Sequence, residues 1–482
     1  MPKYIAYPEA RQFENPDTGS KVLNKLLWGD FVTVLDETSN ADFVKIRCRG
    51  DEGWVQRAKL QDEKLLEICF VDVGQGDGCL LVTPDDKFIL VDAGKDENMV
   101  RFLNWRFNLK KKTTPLPIEM LIITHSDEDH YGGFSKIINH DKIEVKRIYH
   151  NGVVERTGTD LLGPEIKVGS IKYLTSVIQT TTELKTLFDD PANRGRKKYP
   201  KLMHDAYHKR GVGTIEMIKK GASVAGYTSA DAIHFEVLAP VTETINTTEC
   251  LRVLGNDGET KNGHSIVIRL HYGNVKILLS GDLNEKSQHF LTEHYTDFNP
   301  ETMQESDVQT MITEGRKVFE CHVAKSCHHG SDHFMDDFFS FINPIATVIS
   351  SGDSETHTHP RPETLGAIGK HSRGKRPLIF STELARSTLE RKGISLVDYE
   401  ALKALNAELR QTGLTTEQKN IIKGKITKLE STLERNVAVY GMINLRTDGK
   451  KVMFAQKKEQ KDAGYIYWLL EPNAQGELEY KI

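Results

Sequence analysis

The segment "IITHSDEDHYGG" sets two histidines and three carboxylates within the six residues from His125 to His130. It runs directly out of the apolar, strand-like "IEMLIIT". A strand end delivers the side chains that follow it onto a loop at the edge of a sheet, where alternate residues of an extended segment point the same way. His125 and Asp127 can therefore converge on one ion, while Asp129 and His130, displaced by the turn, reach a second. Two later strand-like runs end the same way. "VKILLSGDLNE" delivers Asp282, and "HVAKSCHHGSDH" delivers His328 and His329. Imidazoles and carboxylates on three strand ends describe metal ligation better than solvated charge.

The chain that must position these groups has 482 residues, 38 % of them apolar and 27 % charged, which predicts two or three folded units of an ordinary globular kind. Its net charge of −4 gives no global attraction to nucleic acid or membrane, so such a partner needs a local patch. The polar start "MPKYIAYPEARQFENPD" does not read as a signal peptide, and no window reaches the roughly 20 apolar residues of a spanning helix. A cytoplasmic protein with no membrane partner is expected. Six cysteines without a C-x-x-C pair read as buried free thiols in a reducing compartment.

Residues 22–60 read as short alternating strands, "FVTVL" and "FVKIR" among them, broken by turns at "WGD" and "DEG". With the "L-x-x-G-x-x-V-x-V" strand and the closing "GWV", residues 1–62 resemble the bacterial SH3-like barrel. That resemblance implies a protein- or ligand-docking module, with a packing appendage as the alternative. From Leu65 strands and helices alternate to about residue 380, the layout of a layered α/β fold. Residues 398–435 change again. Leu402, Leu405 and Leu409, then Ile422, Ile426, Leu429 and Leu433, recur at helical spacing around "TGLT", and Thr415 with Gln418 makes a capping box. A helical hairpin is expected, its stripe packed on its own domain or, alternatively, serving as a homodimer seam. "VAVYGMINLRTDGKKVMFAQ" reads as a β-hairpin turning at Asp448-Gly449.

Taken in order, "DVGQGDG", "LVDAG", "THSDEDH", "NGHSIVI", "LLSGD", "HHGS" and the "HP" at 359–360 resemble the metallo-β-lactamase superfamily. The family's H-x-H-x-D-H is here His125-x-Asp127-x-Asp129-His130, with aspartate in place of the second histidine. That departure is similar to the C-terminal domain of ComEC-type competence proteins and to phosphorylcholine esterases. The resemblance covers roughly residues 65–380. It implies an αββα sandwich; the small all-β barrel precedes it, and the helical hairpin, which the resemblance does not explain, is expected to follow within one unit over 65–482. The membrane channel of full-length competence proteins has no counterpart in the sequence, so DNA uptake is not carried over.

The resemblance further implies a dinuclear site. His125 and Asp127 hold one divalent ion, Asp129, His130 and His329 hold the other, and Asp282 bridges them. His264 stands where many members place a further histidine; a strand-end side chain is the alternative. Asp127 makes the set harder and more anionic, so manganese rivals zinc. Asp129 is expected to orient a shared hydroxide, and His328 to meet an oxyanion or protonate a leaving group. His359 is a second candidate for that task. Asp92, and with it Asp77, is expected to fix the ligand loop by hydrogen bonds from behind.

Two hard cations suit the in-line displacement of a phosphoester better than the opening of a β-lactam. Between Arg194 and Lys220 nine Lys/Arg stand against two acids, with Tyr199 and Tyr207 interleaved. Arg194, Arg196, Lys197, Lys198, Lys201, Lys209 and Arg210 therefore predict a patch for a nucleic-acid backbone, with the tyrosines stacking on bases. The expected activity is that of a metal-dependent phosphodiesterase, in first place a nuclease. The alternatives are a phosphodiesterase for a small ester and a binding protein on the same fold.

Overall fold

Strands from residue 66 onward alternate between two interiors. In Leu66–Phe70, the side chains of Leu66, Ile68 and Phe70 join one apolar cluster and Cys69 joins another. In Gly78–Val82, Cys79 and Leu81 go with the first cluster, Leu80 and Val82 with the second. Such strands read as unbroken apolar runs because each face meets a packed layer. The structure, a computed structural model, describes residues 3–352, 357–382, 396–411, 413–439, 441–457 and 464–481.

These strands lie in a ten-stranded sheet, and the strands Ile233–Ala239, Val267–Tyr272, Val275–Ser280, Val323–Lys325, Ala346–Ile349 and Leu378–Ser381 form a six-stranded one. Ile68, Leu81, Ile89 and Ile122 of the first sheet pack with Ile268, Ile277, Val323 and Val348 of the second. Helices Asn98–Phe107, Thr181–Asp189 and Lys198–His208 cover the outer face of the first sheet. Helices Glu285–Thr296, Val308–Phe319 and Asp336–Ile342 cover that of the second. The result is four layers, helix, sheet, sheet, helix. Strands Met120–Ile122, Val275–Ser280, Val323–Lys325 and Ala346–Ile349 each have a parallel neighbour, and their carboxyl ends open on one edge of the sandwich.

Residues 3–61 form a separate seven-stranded all-β unit around Ile5, Leu26, Val32, Val44, Ile46 and Val55. It sits on the last strands of the large sheet, where Leu27 and Trp28 meet Met453 and Ala455. Arg446 closes the contact. Its Nη1 donates to the Trp28 carbonyl at 2.6 Å and to Asp30 Oδ1 at 2.9 Å.

The expected helical pair is present as Leu396–Leu409 and Thr416–Val439. Thr415 and Gln418 exchange the hydrogen bonds of the capping box, at 2.9 and 3.2 Å. The second helix packs along Asn98–Phe107 with Ile422 and Ile426 buried, so its apolar stripe is used inside this chain. The Leu433 side chain lies outside the described residues. The terminal hairpin is shorter than the sequence suggested. "VAV" ends the helix, and the strands are Ile443–Thr447 and Val452–Lys457, with Gly449 at φ 85° in the turn. Two more strands, Tyr465–Pro472 and Leu478–Tyr480, extend the sheet. All six cysteines are buried free thiols. No helix among the described residues is long and apolar enough to cross a membrane.

Candidate metal centre

The ligand loop follows Met120–Ile122, and Asp92 anchors it. Asp92 sits in the strand Phe88–Ala93 at a break in register with its neighbour, with φ 55°, a local kink that turns its side chain toward the loop. Its carboxylate accepts from the Thr124 amide at 2.8 Å and the Thr124 hydroxyl at 2.6 Å, and meets His130 Nδ1 at 2.8 Å. With Nδ1–H committed to Asp92, the lone pair on His130 Nε2 faces inward. Gly76 lies beneath the same loop at φ 106°. A Cβ there would come within 1.7 Å of the Asp129 carbonyl oxygen, so the close approach requires glycine.

Asp282, delivered by Val275–Ser280, receives four imidazoles. Its Oδ2 lies 3.2 Å from His130 Nε2, 3.2 Å from His329 Nε2, 3.9 Å from His328 Nε2 and 4.0 Å from His125 Nε2. His130 Nε2 and His329 Nε2 are themselves 3.2 Å apart. Asp127 Oδ2 is 3.8 Å from His125 Nε2, and Asp129 Oδ2 is 3.7 Å from His329 Nε2. The atoms thus divide into a side with His125 and Asp127 and a side with Asp129, His130 and His329. Asp282 Oδ2 stands between them.

Asp77, His130, Asp282 and His329 place one potential ligand atom each within 4.8 Å of the others. Within that group Asp77 has a different geometry. Its Oδ1 is 3.2 Å from His329 Nδ1, the ring nitrogen opposite the one that meets Asp282, and its Oδ2 pairs with the buried Lys325 ammonium. His329 Nδ1 also meets the Ser350 carbonyl at 3.0 Å. Asp77 therefore braces the ring from behind, as Asp92 does for His130.

The tautomer of His125 follows from its neighbours. Ser265 Oγ donates to the Asn262 carbonyl at 2.7 Å and so accepts from His125 Nδ1 at 3.2 Å. His125 Nε2 is left as a buried lone pair with no hydrogen-bond partner, and Asp282 Oδ1 is buried in the same condition. Buried acceptors without donors are costly unless a cation completes them. The electrostatics agree. Burial works against charge on His130 and His329, but Asp282 with Asp92 holds the first well above the ordinary histidine range, and Asp282 with Asp77 pushes the second up to about 10. Burial also opposes the charge on Asp282, which His130 and His329 nonetheless hold well below the usual carboxylate range. A cluster that binds a proton so firmly favours any cation placed there. The donor set fits a divalent metal.

His328 and His329 stand in the left-handed region, at φ 47° and 52°, and so face the site from consecutive positions. Such backbone is uncommon for non-glycine residues and concentrates at functional sites. The His359 ring lies 5.9 Å from that of His328 and 6.2 Å from that of His329, over the same opening.

Two expectations are corrected. His264 Nε2 meets the Arg252 carbonyl at 2.6 Å and its ring packs on Phe290, so it turns away from the cluster. Tyr199 is fully buried against Tyr131, and Tyr207 is buried with its hydroxyl donating to Asp189 at 2.9 Å, so neither is placed to stack on a base. The apolar faces of Tyr199, Leu202, Met203, Ala206 and Tyr207 form one helical stripe, a pattern legible at their spacing. Most of the cations there have partners. Lys198 pairs with Glu128, Lys197 with Glu155 at 3.6 Å, and Lys201 and Lys209 with Asp205 at 3.3 and 2.8 Å. Arg194 and Arg210 donate to backbone carbonyls, and Arg196 is exposed. Sequence reasoning did not single out Lys325, Lys261, Ser265 or Thr124, whose partners lie far along the chain or on the backbone.

Comparison with known proteins agrees with this geometry. ComE operon protein 3 of Bacillus subtilis (strain 168) is 21 % identical over 324 residues, 64 % of this chain and 31 % of that protein. The chain thus spans about a third of the relative's length. The model of the metallo-beta-lactamase superfamily matches residues 78–327, from the strand Gly78–Val82 to the threshold of the histidine pair, and with it the chain belongs to the metallo-beta-lactamase superfamily.

Proposed function

We propose that the chain is a metal-dependent phosphodiesterase whose centre is the Asp282 carboxylate among His125, His130, His328 and His329. That convergence of strand ends from both sheets is the observation that carries the reading. His125, Asp127 and Asp282 would hold one zinc or manganese ion, and Asp129, His130, His329 and Asp282 the other. Bound there, such ions supply hydroxide near neutral pH and neutralise charge on a phosphoryl group.

The chain's own residues account for the rest. Asp92 and Asp77 fix the two inner imidazoles, so that their Nε2 lone pairs are presented without reorganisation. Asp129, bonded by Gln75 Nε2 at 3.4 Å, orients the attacking oxygen. Burial lowers the pKa of His328, which leaves a neutral imidazole at the opening. With His359 above it, His328 meets the oxygen of the leaving group.

Within that reading nucleic acid is the proposed substrate, carried by the exposed Arg196 and its lysine neighbours along one rim. A small phosphodiester is the second reading, favoured by the buried tyrosines and the paired lysines. Residues 3–61 are proposed as an SH3-like docking unit. The test is hydrolysis of nucleic acid and of a chromogenic phosphodiester across a salt series, by the parent and by the Arg196, Lys197 and Lys198 triple alanine variant. A nuclease loses affinity for nucleic acid alone and shows a flatter salt dependence. An unchanged rate on the chromogenic ester with nucleic acid never cleaved favours the small ester, equal loss on both substrates points to a structural insertion, and no hydrolysis of either in any divalent salt rejects the enzyme.

A further inference from the structure

Asp127 occupies the position at which the family's second histidine has become an acid, and its carboxylate already has a cation. Lys261, on the helix Asp257–Gly263, pairs through Nζ with Asp127 Oδ1 and lies 2.8 Å from Glu155 Oε1. With its amide oriented to satisfy its neighbours, Asn262 donates to Asp127 Oδ2 at 2.7 Å. The three charged side chains are 12 %, 28 % and 20 % exposed for Lys261, Asp127 and Glu155, so solvent screens them little. Among the described residues no lysine or arginine forms an ion pair with Asp129 or Asp282; their ion-pair partners are imidazoles, and the buried Lys325 ammonium, close enough to Asp282 to feel its charge, pairs with Asp77 instead. The two halves of the cluster therefore differ in where a fixed ammonium sits: on the His125 side Lys261 is paired directly with the ligand carboxylate of Asp127, whereas on the other side Lys325 is paired with Asp77, which braces the His329 ring from behind.

We infer that Lys261 is a positioning residue that competes with a metal ion for Asp127, so that the ion beside His125 and Asp127 is held more weakly than the ion beside Asp129, His130 and His329. A positive charge on a ligand carboxylate repels an incoming divalent ion and occupies one of the oxygens it needs. Glu155 moderates the effect by drawing part of the Lys261 charge away from Asp127. The inference rests on the metal-centre reading above and deepens it.

The two partners of Lys261 make the test directional. Metal-free protein is titrated with manganese or zinc by calorimetry, for the parent, Lys261→Met and Glu155→Gln, with thermal unfolding recorded for each. The parent should show one tight and one weaker ion. Lys261→Met should tighten the weaker ion about tenfold, the scale on which groups around metal ligands act. Glu155→Gln should weaken it, because Lys261 then leans wholly on Asp127. A merely structural role would weaken binding in both variants. Two ions of equal affinity in the parent, or shifts of the same sign in both variants, overturn the inference while leaving the metal centre standing. No ion bound by the parent overturns both.

Discussion

Replacing Asp92 by asparagine removes one charge and leaves the backbone at ease, because asparagine tolerates the left-handed conformation that φ 55° imposes. Three hydrogen-bonding atoms converge on the native carboxylate, at 2.8, 2.6 and 2.8 Å, and one of them is His130 Nδ1. The amide keeps one acceptor oxygen for Thr124 and presents either its N–H group or no charge to His130. The ring is then free to adopt the other tautomer, in which Nε2 carries the proton and cannot ligate. Loss of such an orienting partner costs about 10–100-fold in metal affinity, or about 1.4–2.8 kcal/mol. The assay is competition with a chromogenic chelator on folded Asp92→Asn protein, with Asp92→Ala alongside. The alanine variant should lose thermal stability as well, since alanine in the left-handed region costs about 1–2 kcal/mol. An Asp92→Asn variant that binds metal with the parent's affinity would refute the reasoning.

Four further outcomes are expected. Asp282→Ala should abolish phosphodiester turnover while near-native thermal unfolding persists, because the sheets rather than this side chain carry the fold; a folded variant with normal turnover contradicts the bridging position. Tyr199→Ala should cost about 3–5 kcal/mol in denaturant unfolding, the range for emptying a large buried aromatic position; weakened nucleic-acid binding with unchanged stability contradicts its place in the core. Gly76→Ala should disturb the ligand loop and reduce metal binding, since its Cβ collides with the Asp129 backbone; unchanged metal affinity in the folded variant speaks against that contact. Burial opposes the charge on Glu67, but Arg106 and Arg446 hold its pKa down to about 2, and its side chain is only 14 % exposed. A depressed carboxyl stabilises fully above its unfolded value of 4.5 and loses that contribution as pH falls toward 2, on the order of 3 kcal/mol in all. Glu67→Gln should therefore flatten the acid limb of the stability profile measured by denaturant unfolding, and an unchanged limb contradicts the pairing.

The ligand loop was legible in the sequence because strand and ligands are local. "IIT" ends a strand, and His125, Asp127, Asp129 and His130 follow within one turn. Asp282 and the His328-His329 pair were legible for the same reason, each hung on its own apolar run. Lys261 and Lys325 were not, because a lysine has no spacing signature and Asp127 and Asp77 lie more than a hundred residues before them. His264 misled because it neighbours Ser265, whose hydroxyl does reach His125, while its own ring turns to Arg252. The tyrosines of the basic stretch misled because their helical spacing, three to four residues apart with Leu202, Met203 and Ala206, was passed over in favour of their charged neighbours. The two valines of the "VAV" before the last hairpin have strand propensity, but the segment continues the helix Thr416–Val439.

The central claim is that His125, His130, His329 and Asp282 form a metal centre that cleaves phosphodiesters. Its most direct test is elemental analysis of purified protein, paired with hydrolysis of a chromogenic phosphodiester after chelation and after return of manganese or zinc. Bound metal should approach a two-to-one ratio at saturation, activity should be lost on chelation and restored by one of these ions, and the Asp282→Ala variant should show neither property. Protein that binds no divalent ion and regains no hydrolysis in any of these salts would contradict it.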